Sequence, residues 1–215
     1  MNKIYTKQVS SMIYTSSKYL TISRFIAYLE QIKAIMAKGA HLDIAEIGKG
    51  NGFVSAILRE QGYNVVTIDF DDSLKPDILS SIFDLSENVK QKFDIVGCFE
   101  VLEHIRFEEF EKALVNIKSI TKPNGTVLIS VPYVGYTFRL QLYLSKYGER
   151  QLPLVFRLPM FWKEHKFNGQ HYWEAGKKGY SIRRIEKLLN KHYSVISKWK
   201  HPYNKSQIFF DCKVK

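Results

Sequence analysis

The 215-residue chain reads as one doubly wound α/β domain with a largely parallel sheet, and two patterns carry that reading. Four short apolar runs, LDIAEI (42–47), YNVVTID (63–69), FDIVGCF (93–99) and GTVLISV (125–131), have the near-continuous hydrophobicity of strands buried on both faces. Helix-period segments alternate with them, at 52–61 and around Phe110, Ala113, Leu114 and Ile117, as right-handed strand–helix–strand crossovers require.

Before the first strand, Ile22, Phe25, Ile26, Leu29, Ile32 and Met36 recur at helical spacing, so residues 19–38 are expected to form an amphipathic helix covering a core edge. At the far end Ser181 is placed to cap a helix bearing Ile182, Ile185, Leu188 and Leu189. Two further strand patterns follow, YSVISKW (193–199) and SQIFFDCKV (206–214), and the short HPYNK link between them favours an antiparallel pair. One domain suits the length.

With 45% hydrophobic and 25% charged residues, the composition excludes a disordered chain, a collagen and a membrane bundle. The uncharged stretch Gly125–Phe138 is too short and polar for a spanning helix, which needs about 20 apolar residues. The first twenty residues lack an apolar run ending in a small-residue cleavage site, so a cytoplasmic chain is expected, with Cys98 and Cys212 as buried thiols. Charge is unevenly divided: residues 1–134 hold 15 Lys+Arg against 16 Asp+Glu, and residues 135–215 hold 17 against 5. A basic field confined to one segment suggests an anionic partner met there, whether a phosphorylated substrate, a nucleic acid or an acidic membrane surface.

Gly135–Gly176 departs from the regular alternation. It holds ten of the thirty aromatic residues, interleaved with Arg139, Lys146, Arg150, Arg157, Lys163 and Lys166. An insertion of that length in a compact domain is usually functional or a packed subdomain, and it reads as a substrate lid.

Glu46-Ile47-Gly48-Lys49-Gly50-Asn51-Gly52 falls where the first strand turns into the first helix. Glycines there let the backbone approach a ligand, at the carboxyl end of a strand where open α/β sheets bind ligands. Asp69, 19 residues beyond Gly50, is spaced to accept hydrogen bonds from a ribose diol. The dinucleotide fingerprint is G-x-G-x-x-G, whereas here the spacing is G-x-G-x-G and the next position is Phe53. Glu46 adds a negative charge that disfavours a pyrophosphate and suits the ammonium of an amino acid.

With these residues the chain resembles the class I S-adenosylmethionine-dependent methyltransferases, in particular their small-molecule-type methyltransferase domains. The likeness covers residues 40–133: EIGKGNG is similar to the family's glycine loop, VVTIDFD to its second strand with the ribose acid, FDIVGCFEVLEHI to its fourth strand with an L-E-H signature, and PNGTVLISVPY to its fifth. The resemblance implies a Rossmann-like, mostly parallel seven-stranded sheet with an antiparallel last strand, and S-adenosylmethionine as cofactor. By pattern the chain divides into an N-terminal helical cover (1–40), a cofactor-binding core (41–134), a lid after the fifth strand (135–176) and a C-terminal helix with a strand pair (177–215).

Carried over by position, Gly48, Gly50 and Gly52 would face the methionine moiety with Glu46 shaping that end. Asp69 would hold the ribose, Phe70 would lie on the adenine, and Phe99 would close the cofactor side. Where relatives often have an acid at the adenine this chain has Ser81, so Ser81, the backbone near Ile82, and Asp84 all stay open as adenine contacts. Asp77 and Asp84 read equally as loop and cap acids. For a hydroxyl acceptor, Glu100 and His104 are the candidate catalytic groups, with His104 either a general base, a substrate contact, or an imidazole that orients a loop. Tyr133, His171, Tyr172 and Trp173 are the candidate acceptor contacts, the last three reading also as lid anchors.

No metal site is expected, because His165 and His171 have no acidic partner at ligand spacing. The favoured acceptor is small or lipid-linked and anionic, such as a glycan or envelope precursor. An RNA methyltransferase and a non-catalytic protein docking on membrane through 135–176 are the rival readings.

Overall fold

The computed structural model describes residues 11–143 and 151–215. In chain order its elements are α1 Ile22–Met36, β1 Asp43–Ile47, α2 Phe53–Glu60, β2 Asn64–Asp69, β3 Ile78–Leu79, α3 Leu85–Asn88, β4 Phe93–Phe99, α4 Phe110–Ser119, β5 Thr121–Pro132, β6 Gly135–Tyr143, β7 Gln151–Pro159, α5 Ile182–His192, β8 Tyr193–Trp199 and β9 Gln207–Val214. Seven strands form one sheet in the order β3-β2-β1-β4-β5-β9-β8, and β6 pairs with β7 in a sheet of its own. Strands β1 to β5 run parallel, whereas β9 is antiparallel to both β5 and β8. Strand order reverses at the β1/β4 neighbours, the place where such sheets open a crevice at their carboxyl ends.

The side-chain alternation of the strands divides the core in two. Ala45, Ile47, Val96, Cys98, Val127 and Ile129 pack with Phe110, Ala113, Leu114 and Ile117 of α4 and Ile185 and Leu189 of α5. On the other face Ile44, Val65, Ile95, Leu128 and Phe209 pack with Ile32 and Ile35 of α1 and Val54 and Leu58 of α2. Both thiols, Cys98 and Cys212, are free and buried. Ser181 caps α5 by accepting from the Arg184 N–H, and Thr21 caps α1 by accepting from the Arg24 N–H.

The apolar stripe used to place α1 does not face the core as a whole. Ile22, Phe25, Leu29 and Met36 are exposed, and the buried face is Ala27, Glu30, Gln31, Ile32 and Ile35. The helix rolls this way because polar partners lie inside: the Trp199 indole N–H donates to Glu30 at 3.0 Å. No helix of the described residues is long and apolar enough to cross a membrane.

Within the expected lid, Lys146, Tyr147 and Arg150 lie outside the described residues. The remainder is more regular than the sequence suggested, since β6 and β7 make a nine-pair antiparallel ladder from Gly135↔Pro159 to Tyr143↔Gln151. Past the hairpin the chain returns to the sheet through Trp173, which is fully buried. Its indole N–H donates to the Leu102 carbonyl at 3.1 Å, and its ring meets Phe107 and Phe110 edge-on. Trp173 is therefore an anchor in the core and not an acceptor contact, because a large aromatic here buries more surface than any ligand contact would offer. Trp173→Ala is expected to lower stability by about 3–5 kcal/mol in urea unfolding, and Trp173→Phe by less, since it forfeits the hydrogen bond but fills most of the space.

Candidate active site

The glycine loop begins where β1 ends. Gly48 has φ +84° and its N–H donates to the Ile68 carbonyl at 2.8 Å, which holds the loop against the end of β2. A Cβ at Gly48 would lie 2.4 Å from Val101 Cγ2, so no side chain fits there. A Cβ at Gly50, at φ +53°, would instead rest in ordinary contact with the Tyr14 ring, 3.7 Å from its Cε1. The Asp69 carboxylate accepts from the Lys49 N–H at 2.9 Å and the Asp71 N–H at 3.0 Å, joining the loop to the next strand. Burial pushes the Asp69 carboxyl above the usual carboxylate range.

These residues floor a crevice of about 610 Å³, in the range of pockets that hold small ligands. Glu46, Gly48, Gly50, Asp69, Phe70, Ser81, Ile82, Phe99, Glu100, His104, His171 and Tyr172 all line it, so the fold brings together twelve of the fifteen residues expected at the site. Gly52 does not line it. It occupies the left-handed N-cap of α2 at φ +71°. Tyr133 is also outside, buried with the Lys200 ammonium 3.4 Å above its ring, and Trp173 lies in the core. Asp77 is a structural acid, accepting from the Thr67 N–H and hydroxyl at 2.7 Å each. Asp84 begins α3 without a side-chain cap bond and does not line the crevice.

Glu46 is the unusual group on the donor side. It is buried in β1 and its Oε2 has no partner among the described residues. Burial pushes its carboxyl up to about 7, against the pull of a hydrogen bond from Ser55 and the cations of Arg59 and Lys49. An unsatisfied buried carboxylate oxygen beside a glycine loop fits an ammonium ligand group. With the Asp69 carboxylate at the other end of the floor, the crevice fits the amino-acid tail and ribose of S-adenosylmethionine.

Across the crevice the loop after β4 and the segment 165–177 form a second polar cluster. Glu100 holds a left-handed backbone, φ +55°, and accepts from the Ser130 hydroxyl at 2.9 Å. Burial raises it to about 7 and raises Glu103 well above its ordinary value. The Glu103 Oε2 also lacks a partner among the described residues. His104 Nδ1 lies 3.0 Å from the Gln170 carbonyl, which makes it the protonated nitrogen, and burial together with His171 lowers the imidazole to about 4. A neutral ring that orients a loop is what this geometry supports, with Nε2 directed towards Glu103 at 4.0 Å.

His171 is better placed as a base. Its Nδ1 is 2.9 Å from Glu174 Oε1, and its ring meets His104 edge-on with centroids 5.1 Å apart. Burial raises Glu174, but hydrogen bonds from His171 and Lys177 outweigh it and hold the carboxyl at about 2. His165 lies 3.4 Å from the same carboxylate. The acidic partner that sequence spacing did not offer His165 and His171 is thus supplied by the turn, and the ground for excluding a metal fails. Donor atoms of Glu103, His104 and His171 lie within 4.8 Å of one another.

The sequence reading missed one wall entirely. Tyr14, Tyr19, Arg24, Tyr28 and Gln31 line the crevice from the N-terminal segment, and Arg106 from the loop before α4. The Arg24 guanidinium stacks 3.8 Å over the Tyr19 ring and donates to the Tyr19 carbonyl at 2.8 Å. The available signal was a tyrosine- and arginine-bearing helix whose polar face faces inward.

Residues 21–192 match the family model described as "Methyltransferase domain". Ubiquinone biosynthesis O-methyltransferase of Rickettsia bellii (strain OSU 85-389) is 31% identical over 115 residues, 47% of each chain. Its counterpart in Rickettsia typhi is 32% identical over 115 residues, 47% of this chain and 46% of that one. The match thus spans about half the length of these curated relatives. Among solved structures, the N-methyltransferase NodS from Bradyrhizobium japonicum WM9, in complex with S-adenosyl-l-homocysteine, superposes with a TM-score of 0.60 at 11% identity, covering 90% of this chain and 88% of that one. The 1,6-didemethyltoxoflavin-N1-methyltransferase of Burkholderia thailandensis gives 0.59 at 17% identity, covering 88% and 79%. Strand order and family match agree, and the chain belongs to the methyltransferase-domain family, with the Rossmann-like fold of its structural neighbours.

Proposed function

We propose that the chain methylates a hydroxyl oxygen of a small or lipid-linked, anionic acceptor bound between the N-terminal wall and the His171 loop. The observation that carries this is His171, which lines the same crevice as Glu46 and Asp69 and is paired at 2.9 Å with Glu174 behind it. Bound in the crevice, S-adenosylmethionine supplies a methyl group on a positively charged sulfur that departs with the bonding electrons. The protein's part is alignment, exclusion of water and removal of one proton. With Nδ1–H donating to Glu174, the His171 Nε2 is left as the acceptor for the hydroxyl proton, and the ionised Glu174 stabilises the imidazolium that results. Arg24 and Arg106 line the crevice and supply the positive charge that an anionic acceptor requires. The relatives' name, an O-methyltransferase, agrees with oxygen as the methylated atom.

Calorimetric titration tests the cofactor half. The chain is expected to bind S-adenosylhomocysteine, and Gly50→Val, whose side chain would enter the space facing Tyr14, to weaken that binding by about tenfold or more, roughly 1.4 kcal/mol per decade. Absence of heat with both forms of the cofactor refutes the assignment.

Glu46 adds a pH signature. Its carboxyl is raised in the folded chain to about 7 from 4.5, so between those values the native state holds a proton that the unfolded state has lost. Its contribution to stability is therefore full below pH 4.5 and declines as pH rises through 7. Glu46→Gln is expected to make the ligand-free protein more stable at pH 8, by roughly 3 kcal/mol for two to three pKa units, while weakening cofactor binding. Glu100 and Glu103 titrate in the same direction, so denaturant melts of the variant should show a shallower pH dependence and not a flat one.

Once an acceptor is in hand, His171→Gln is expected to lower kcat by about 10²–10⁴ with little change in the affinity for the methyl donor. Adding EDTA to the same assay distinguishes proton acceptance, which survives, from a cation held by Glu103, His104 and His171, which does not.

A further inference from the structure

Strands β6 and β7 follow Tyr133, at the crevice end of β5, and pair with an apolar face turned outward. The ladder sets Tyr136 opposite Leu158, Phe138 opposite Phe156 and Leu140 opposite Leu154. Directly opposed residues project to one face, and all six are between 41 and 61% exposed. Val155, on the other face, is buried. Further along the chain Phe161, Trp162 and Phe167 are exposed as well. Contiguous apolar surface of this kind on a soluble domain marks an interaction site.

Charge identifies the partner. The part of the chain from 135 onward holds 17 Lys+Arg against 5 Asp+Glu. At the root of the hairpin the Lys200 ammonium stands over the Tyr133 ring, and burial, with Lys205 and Arg157 close by, lowers its pKa to about 8. The Lys200, Lys205 and Arg157 cations near the root of a face of aromatic and aliphatic side chains match an interface with anionic headgroups above hydrocarbon. A nucleic acid is a poorer match, because the six face residues carry no cation to meet phosphates between stacked bases. Two copies meeting on this face would bring two strongly basic segments together.

We propose that the β6–β7 hairpin docks the protein on an anionic bilayer, laying the face of Tyr136, Phe138, Leu140, Leu154, Phe156 and Leu158 into the membrane surface. This goes beyond the methyl-transfer reading and stands without it.

Flotation of the full chain with vesicles tests the proposal. The protein is expected to float with phosphatidylglycerol–phosphatidylcholine vesicles, and about tenfold or more weakly with phosphatidylcholine alone or in high salt. Phe138→Asp combined with Phe156→Asp should reduce flotation by about tenfold or more, whereas Phe138→Leu with Phe156→Leu should retain it. Calorimetric binding of S-adenosylhomocysteine, unchanged in the Asp variant, shows that the fold is intact and keeps a failure here separate from a failure of the methyltransferase assignment. Lack of flotation on anionic vesicles, equal flotation of the Asp variant, insensitivity to lipid charge, or a hairpin-dependent dimer or RNA complex in place of vesicle binding would each overturn the proposal.

Discussion

The structure is organised around carboxylates held out of water at the carboxyl ends of parallel strands. Glu46 on β1, Asp69 on β2, and Glu100 and Glu103 after β4 all face one crevice, and burial raises every one of them. A buried carboxylate without a partner costs several kcal/mol unless it is protonated or paired. Two oxygens here, Glu46 Oε2 and Glu103 Oε2, have no partner among the described residues. The ligand-free fold therefore carries a local cost that a complementary cationic group relieves. Asp69 and Glu100 are tied down instead: two backbone N–H groups fix the Asp69 carboxylate, and the Ser130 hydroxyl donates to Glu100.

That constraint accounts for the elements packed around the crevice. The N-terminal segment brings Tyr14, Tyr19 and Tyr28 across the opening, excluding water from Asp69 and Glu46, and burial in turn raises the Tyr14 hydroxyl to about 12. On the other side Glu174 gathers His171, Lys177 and His165, closing a short loop rooted in the core through Trp173 and Ala175. One carboxylate thus does two things: it fixes the loop and sets the tautomer of the imidazole that faces the crevice. The tautomer follows because a Glu174 held near 2 is an acceptor at any physiological pH.

How much of this was legible follows from the range of each interaction. Strands β1, β2, β4 and β9 and the cap at Ser181 were readable because burial on both faces, or one side-chain bond, writes itself into neighbouring residues. So were Glu46, the glycines and Asp69, whose spacing follows strand length and loop length. β3, two residues long, offers no period to read. The His171–Glu174 bond is local, three residues apart, yet it was passed over because i to i+3 spacing signals contact only when the backbone turns. Tyr14, Arg24 and Gln31 were hidden for the opposite reason: they join Gly50 and Glu46 in one crevice from a segment well before the loop in sequence. The roll of α1, which buries Glu30 and exposes Leu29, could not be inferred from hydrophobicity, since Trp199 is the partner that decides it. In β6 and β7 the alternation was present in the sequence, as Tyr136, Phe138 and Leu140 against Leu154, Phe156 and Leu158. It was obscured because the apolar set faces out, against the usual sense of the pattern.

That inversion links the hairpin to the chemistry. The segment leaving β5 after Tyr133 first builds the outward apolar face and then, at Gln170, His171 and Tyr172, returns to line the crevice. A single covalent stretch therefore joins the surface suited to hydrocarbon with the base suited to a hydroxyl. An acceptor carrying a long apolar tail faces a large penalty for leaving a bilayer, about 0.8 kcal/mol for each methylene exposed to water. Under the proposed docking, an acceptor whose headgroup reaches His171 while its tail stays in lipid avoids that penalty. A free, tail-less acceptor would gain nothing from the hairpin. Taken with the proposed docking, the outward orientation of Phe138 and Phe156 favours a lipid-linked acceptor over a soluble one within the proposed reading.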